Sequence, residues 1–277
     1  MSRLLRIIYH TVACWGLFGL SNGLYMFAAP LLWVIFKVGG LSETRAAFQT
    51  ITFRFNRWYI GSIMQIVTTL RFVFIPPKIP ARIKGPAVFI GNHSSVVDLL
   101  LTMSSIERCS IVGKRGMAYI PLYGLTLMLM GMIFVDRRRK FESEDVFAAF
   151  RERLRLGECI LTFPQGSRTL PWSRRSVKRG LFKLIMEEKV PIVPVAITGT
   201  KHTVKKGQVF FDIGRPLKVM VHFLPPILPE GDPESLRDVT ALRDRIVESI
   251  GSILEAERDL IREGHPHPSA TPGSPGL

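Results

Sequence analysis

The chain predicts an α/β fold: a mixed, mostly parallel sheet covered by helices on both faces, preceded by an N-terminal apolar helical membrane motif. Three observations carry this reading. Strand-like and helix-like patterns alternate from Ala87 to Phe223, which argues for a parallel or mixed sheet between two helical layers. The apolar run Ala87-Val88-Phe89-Ile90-Gly91 reads as a buried strand, and a helical pattern opens soon afterwards at Asp98-Leu99-Leu100-Leu101,. Between Ile7 and Phe36 no acidic or basic residue occurs apart from His10. That stretch is longer than the ~20 residues a helix needs to cross a bilayer.

Taken in order, the N-terminal stretch is interrupted by Ser21-Asn22-Gly23 and again by Pro30. Two short helices dipping into one leaflet are the first expectation, a single tilted span the second, and a cleaved signal peptide a distant third. Positive charge flanks both ends (Arg3 and Arg6, then Lys37 and Arg45), so the positive-inside rule gives no orientation,. From Ser42 to Thr69, spaced apolar residues interleave with Arg45, Arg54 and Arg57, as in one or two amphipathic helices,. Arg71–Ile75 reads as a strand stopped by Pro76 and Pro77,. Further strands are expected at Ala87–Ile90, Ser110–Val112, Met132–Val135, Cys159–Phe163, Ile192–Thr198, Val209–Ile213 and Leu217–Phe223. Helices are expected at Asp98–Ser105, Leu122–Met130, Ser143–Leu156, Ser176–Lys189 and Pro233–Glu263. This divides the chain into N-terminal membrane-associating helices over 1–70, an α/β domain over 71–262 and a disordered Pro/Gly/Ser-rich tail over 263–277,.

The 277 residues suffice for one domain with a full core plus an appended segment,. A net charge of +15 favours anionic partners, with nucleic acid and anionic membrane the obvious pair,. No helix-turn-helix, ribonucleoprotein or zinc-finger signature appears, so nucleic acid is not expected. Cys14, Cys109 and Cys159 are odd in number and lack CxxC spacing, which suggests neither a disulfide framework nor a metal site,.

Chemistry concentrates first in Asn92-His93-Ser94-Ser95-Val96-Val97-Asp98. A histidine where a strand gives way to a helix stands where α/β enzymes place reactive groups, and it can remove a proton from a hydroxyl near neutral pH. A carboxylate can orient the ring and stabilise the imidazolium. Five residues apart, the two side chains meet only if His93 lies in the turn and Asp98 points back from the first helical turn. Otherwise they are a buried histidine and a helix-start aspartate. The amides opening the helix are a candidate seat for an oxyanion or phosphate.

Three further blocks follow in order: Gly131-Met132-Ile133-Phe134-Val135-Asp136-Arg137, then Phe163-Pro164-Gln165-Gly166-Ser167-Arg168-Thr169, then Val190-Pro191-Ile192-Val193-Pro194. With the first they resemble the glycerolipid acyltransferase family, typified by 1-acyl-glycerol-3-phosphate (lysophosphatidic acid) acyltransferases, across roughly Val73 to Val221,. The resemblance implies that 71–262 is an acyltransferase domain with His93 and Asp98 as its catalytic pair. It implies acceptor binding by Gly131, Phe134, Arg137, Gln165, Gly166, Ser167 and Arg168, with Arg137 and Arg168 suited to phosphate. Lys114, in a segment similar to the family's lysine-containing one, is a weaker phosphate ligand, because Gly116-Met117 replace the usual glutamate and leucine. Gln165 departs from the family's glutamate, losing a charge while keeping the shape. The expected substrates are membrane lysophospholipid acceptors and an acyl thioester donor, acyl-carrier protein or acyl-CoA, with no bound cofactor or metal. The expected setting is the cytoplasmic face of the inner membrane.

Two features have plainer readings. Pro191 and Pro194 read equally well as edge-strand prolines, and Leu125, Met128, Leu129 and Met132 as a core stripe rather than an acyl tunnel. Rival functions are an esterase using Gly19-Leu20-Ser21-Asn22-Gly23, which requires a strand before and a helix after it,, and a non-enzymatic basic protein on membrane or nucleic acid. An acceptor with another lysolipid head group is the nearest alternative.

Overall fold

In the computed structural model, residues 3–38, 44–66, 70–75, 85–121, 123–136, 144–168, 171–203, 210 and 217–263 are described. Seven strands form one sheet in the order β1-β7-β6-β2-β5-β3-β4. They are β1 (Leu70–Ile75), β2 (Val88–Gly91), β3 (Cys109–Lys114), β4 (Ile133–Val135), β5 (Cys159–Thr162), β6 (Ile192–Thr198) and β7 (Leu217–Phe223). The block β6-β2-β5-β3-β4 is parallel throughout. β7 runs antiparallel to β6, and β1 parallel to β7. The sheet is therefore mixed and mostly parallel, as its sequence predicts.

Alternation along each strand distributes side chains between two cores. Phe89 of β2, Leu161 of β5 and Val193, Val195 and Ile197 of β6 belong to one. Val88, Ile90, Ile160, Ile192 and Ala196 belong to the other. Helices α5 (Glu144–Arg155), α6 (Gly180–Glu188) and α7 (Leu236–Glu263) close the second face through Phe150, Phe182, Leu184 and Ile246. On the first face lie α3 (Val97–Met103) and α4 (Tyr123–Leu129), together with α1 (Arg3–Val38) and α2 (Thr44–Ile66). Phe48, Tyr59, Ile60 and Ile63 of α2 share that core with Phe89, so α2 is part of the domain's first helical layer.

Three expectations change here. The N-terminal segment is one continuous helix rather than two short ones: α1 runs through Ser21-Asn22-Gly23 and through Pro30. A proline removes one rung of the helical ladder, and burial of Cys14 and Ala29 against the core holds α1 along the stretch that leads up to it. Gly19–Gly23 therefore lies inside a helix, without the strand-to-helix turn an esterase nucleophile requires,. Pro194 is not on an edge, since β6 lies between β2 and β7. The chain tolerates it there because it sits at the end of the β6–β7 ladder, where its carbonyl accepts the Leu224 N–H at 2.9 Å,. Leu125 and Met128, assigned by sequence to a core stripe, are exposed, while Met132 is buried. Of the predicted strand Val209–Ile213 only residue 210 is described, and residues 264–277 lie outside the described residues. Among the described residues, no helix is long and apolar enough to cross a membrane.

Candidate active site

β2 is the central strand of the sheet, and its last residue, Gly91, leads directly into the turn that carries His93. A Cβ at Gly91 would meet the Phe163 ring at 3.0 Å, so a larger residue would push that ring from its place. Asn92 locks the turn to the neighbouring strand with a pair of bonds. Its Nδ2 donates to the Ile197 carbonyl at 2.8 Å, and its Oδ1 accepts the Ile197 N–H at 2.7 Å. The sequence reading passed over Asn92, since its partner is 105 positions away.

His93 does lie in the turn, and Asp98 does sit in the first turn of α3. The His93 Nδ1 is 3.0 Å from Asp98 Oδ2. The same oxygen accepts the Ser94 N–H at 2.6 Å and the Ser95 N–H at 2.8 Å. Three polar groups converge on one carboxylate oxygen of the fully buried Asp98, and its Oδ1 has no partner among the described residues. This arrangement assigns the proton to Nδ1 and leaves Nε2, which no hydrogen bond engages among the described residues, as the basic nitrogen. The Ser94 and Ser95 amides, which precede α3, serve this carboxylate. Ser95 Oγ lies 3.2 Å from Thr203 Oγ1, tying the turn to the segment after β6.

The loop after β5 meets this turn from the side. Phe163 stacks on the His93 ring, with centroids 4.6 Å apart and planes 22° apart. Gln165 is buried, and its Oε1 accepts the His93 N–H at 2.7 Å. The family's glutamate would offer the same acceptor, so the substitution removes a charge without removing this bond. Replacing Gln165 with alanine should lower unfolding free energy by about 1–3 kcal/mol, the cost of stranding a half-buried amide. Gln165→Glu should recover most of that in denaturant titration, and equal losses in both variants would deny the bond its role. Gly166 turns the chain onward at φ +67°, its N–H bonded to the Phe163 carbonyl at 3.0 Å. Ser167 and Arg168 follow, both half-buried.

The remaining candidates divide by sheet edge. β2, β5 and β3 run parallel, so His93, Gln165–Arg168 and the exposed Lys114 stand at one carboxyl edge, where open α/β sheets bind ligands,. Gly131 does not join them. It precedes β4 at the opposite edge, with φ +79°, and a Cβ there would approach Ser110 Oγ to 2.9 Å. Two of its neighbours, Arg45 and Ser110, pair with the buried Glu158. Gly131 therefore answers a backbone and packing demand. Phe134, paired with Gly113 in the β4–β3 register, packs on the first core. Arg137 lies outside the described residues. The buried His222 of β7 has its Nε2 2.5 Å from Glu257 Oε1, and Glu257 also accepts from Thr198. Both members of that pair are almost fully covered, so it braces α7 on the sheet. Among the described residues no cluster suited to a metal ion occurs.

A parallel strand edge bearing a His–Asp pair beside a glycine-containing loop is an α/β enzyme architecture, and comparison with known proteins makes it specific. Residues 71–198 match the Acyltransferase family model. The chain is 34% identical over 182 residues to 1-acyl-sn-glycerol-3-phosphate acyltransferase alpha of Bos taurus, covering 65% of this chain and 60% of that protein. It is 30% identical over 189 residues to the beta form of Homo sapiens, covering 68% and 66%. The crystal structure of the 1-acyl-sn-glycerophosphate acyltransferase PlsC from Thermotoga maritima superposes with a TM-score of 0.68 at 19% identity, covering 91% of this chain and 98% of that one. The match spans less than two thirds of the curated relatives' length; the solved structure establishes likeness of fold. Through residues 71–198 the chain carries the domain of the Acyltransferase family.

Proposed function

We propose that the chain is a membrane-associated O-acyltransferase. It moves a fatty acyl group from an acyl thioester to the free sn-2 hydroxyl of 1-acyl-glycerol-3-phosphate, giving phosphatidic acid. The observation that carries the reading is the His93 Nδ1–Asp98 Oδ2 pair at 3.0 Å, which leaves Nε2 as the base. Nε2 takes the hydroxyl proton as the lipid oxygen attacks the thioester carbonyl. Collapse of the tetrahedral intermediate expels the thiolate, which recovers that proton from Nε2. No covalent enzyme intermediate is needed, and such a base contributes typically ~10²–10⁴-fold.

Arg168 and Lys114, at the same sheet edge, supply cations for the acceptor phosphate, and Arg137 completes the set by family resemblance. Arg168→Ala should raise the acceptor KM about tenfold or more with kcat little changed, if the contact is equal in ground and transition states. A change confined to the thioester donor's KM would refute that role. Membrane association is supported by the outer face of α1, where Leu20, Leu24, Phe27, Leu31 and Val38 stand exposed, and by the net charge of +15,. Residues 1–70 are then membrane-associating helices that also complete the domain's first layer, and the catalytic edge faces the cytoplasmic leaflet.

The deciding experiment supplies purified protein with labelled acyl-CoA or acyl-carrier protein and a panel of lysolipids. Labelled phosphatidic acid is the expected product. Transfer only to other head groups would move the assignment to another lysolipid, one of two readings open to Gln165 in place of glutamate, reduced activity being the other. Thioester hydrolysis alone, or no turnover, would defeat the proposal.

A further inference from the structure

Acyl-transfer chemistry leaves one surface feature unexplained. Where β3 ends, Lys114 and Arg115 are exposed, and a 3₁₀ turn over Arg115–Tyr119 leads into α4. Tyr119, Ile120, Leu125 and Met128 around this corner are 73%, 47%, 42% and 49% exposed. Their exposure is not that of a loose end. Gly124 sits so close to the turn that a Cβ would approach the Ala118 carbonyl oxygen to 2.1 Å. The Gly124 N–H donates to Ile120 O at 2.7 Å, and Ile120 N–H to Met117 O at 3.3 Å. On α4, Gly124 and Leu127 turn inward while Leu125 and Met128, three apart, turn outward,. A rigid element thus presents four large apolar side chains to solvent.

We propose that this corner is a second lipid contact, at which Tyr119, Ile120, Leu125 and Met128 enter the interface of an anionic phospholipid bilayer and Arg115 lies at its phosphate level. The inference rests on the reading of the chain as a membrane-associated lipid acyltransferase and extends it to a surface outside the N-terminal helices. Two observations select a bilayer over a protein partner. Cations adjoin the apolar side chains within a chain of net charge +15, the pattern of an interfacial anchor,. The patch is also continuous with α1, which packs against α4 and exposes its own apolar face. β3 ends at the same sheet edge as His93, so seating the corner in lipid turns the catalytic edge towards the membrane.

The test is made on the full chain, with phosphatidylcholine vesicles containing or lacking phosphatidylglycerol. The Ile120→Ser/Leu125→Ser/Met128→Ser variant should bind the anionic vesicles at least about tenfold more weakly, with an unchanged circular dichroism spectrum. Binding within about twofold of the parent overturns the proposal. Separately, Ile120→Cys is labelled with a polarity-sensitive fluorophore. Burial raises the pKa of the native thiols Cys14, Cys109 and Cys159, so the exposed position reacts first,. A blue shift on adding anionic vesicles is expected, and an unshifted label on bound protein rejects the contact. Neither readout uses turnover. Absence of acyl transfer would sink the functional reading and leave the lipid contact standing.

Discussion

His93→Ala should reduce acyl transfer by about 10²–10⁴-fold while the protein stays folded. The loss falls on kcat, because the imidazole meets the substrate proton during reaction and adds little to ground-state binding. The structural cost is small. The ring's contacts are a stack on Phe163 and the bond to Asp98, and an aromatic stack is worth about 0.5–1.5 kcal/mol. The turn itself is held by groups the substitution leaves alone: Asn92 on Ile197, Gln165 on the His93 backbone N–H, and Asp98 on the Ser94 and Ser95 N–H groups. Single-turnover assays with labelled thioester, beside thermal unfolding, separate the two effects. Full activity in a folded His93→Ala protein would remove the general base from the mechanism.

Asp98→Asn should be nearly as damaging, for a different reason. The Ser94 and Ser95 N–H groups require an oxygen at the position of Oδ2, so the new amide turns its oxygen towards them. The bond from His93 Nδ1 survives, but the negative charge that stabilises the imidazolium is gone. A rate loss of about 10²–10⁴-fold follows, by analogy with carboxylate-to-amide changes behind other catalytic histidines. The amide nitrogen then occupies the place of Oδ1, buried and without a partner. Stranding it there should also cost about 1–3 kcal/mol of stability. Denaturant unfolding checks that cost, and steady-state kinetics the rate. A stable variant of undiminished activity would mean that Asp98 only caps the turn.

The Asn92–Asp98 block was legible in sequence because its chemistry is local. The spacing forces His93 into the turn and Asp98 into the first helical turn if they are to meet at all, and in the structure they meet. The neighbours of the pair were not legible. Asn92 bonds across to β6, Phe163 and Gln165 reach over from β5, and Thr203 comes from beyond β6. Each depends on which strands lie beside β2, and strand order leaves no local mark in the chain. Gly131 shows the converse error. Placed with Phe134 in one motif, it stands at the opposite edge from His93, because β4 carries the chain across the sheet between Gly131 and Asp136.

The sequence alone determined the alternation of strands and helices, the burial of β2, and the turn that brings an imidazole to a carboxylate. These follow from local periodicity and short-range geometry. Tertiary structure alone decided that α1 continues through Pro30, that Pro194 is acceptable inside the sheet, and that Leu125 and Met128 face outward. A lost backbone bond or an apolar side chain takes its energetic meaning from what the rest of the fold sets against it.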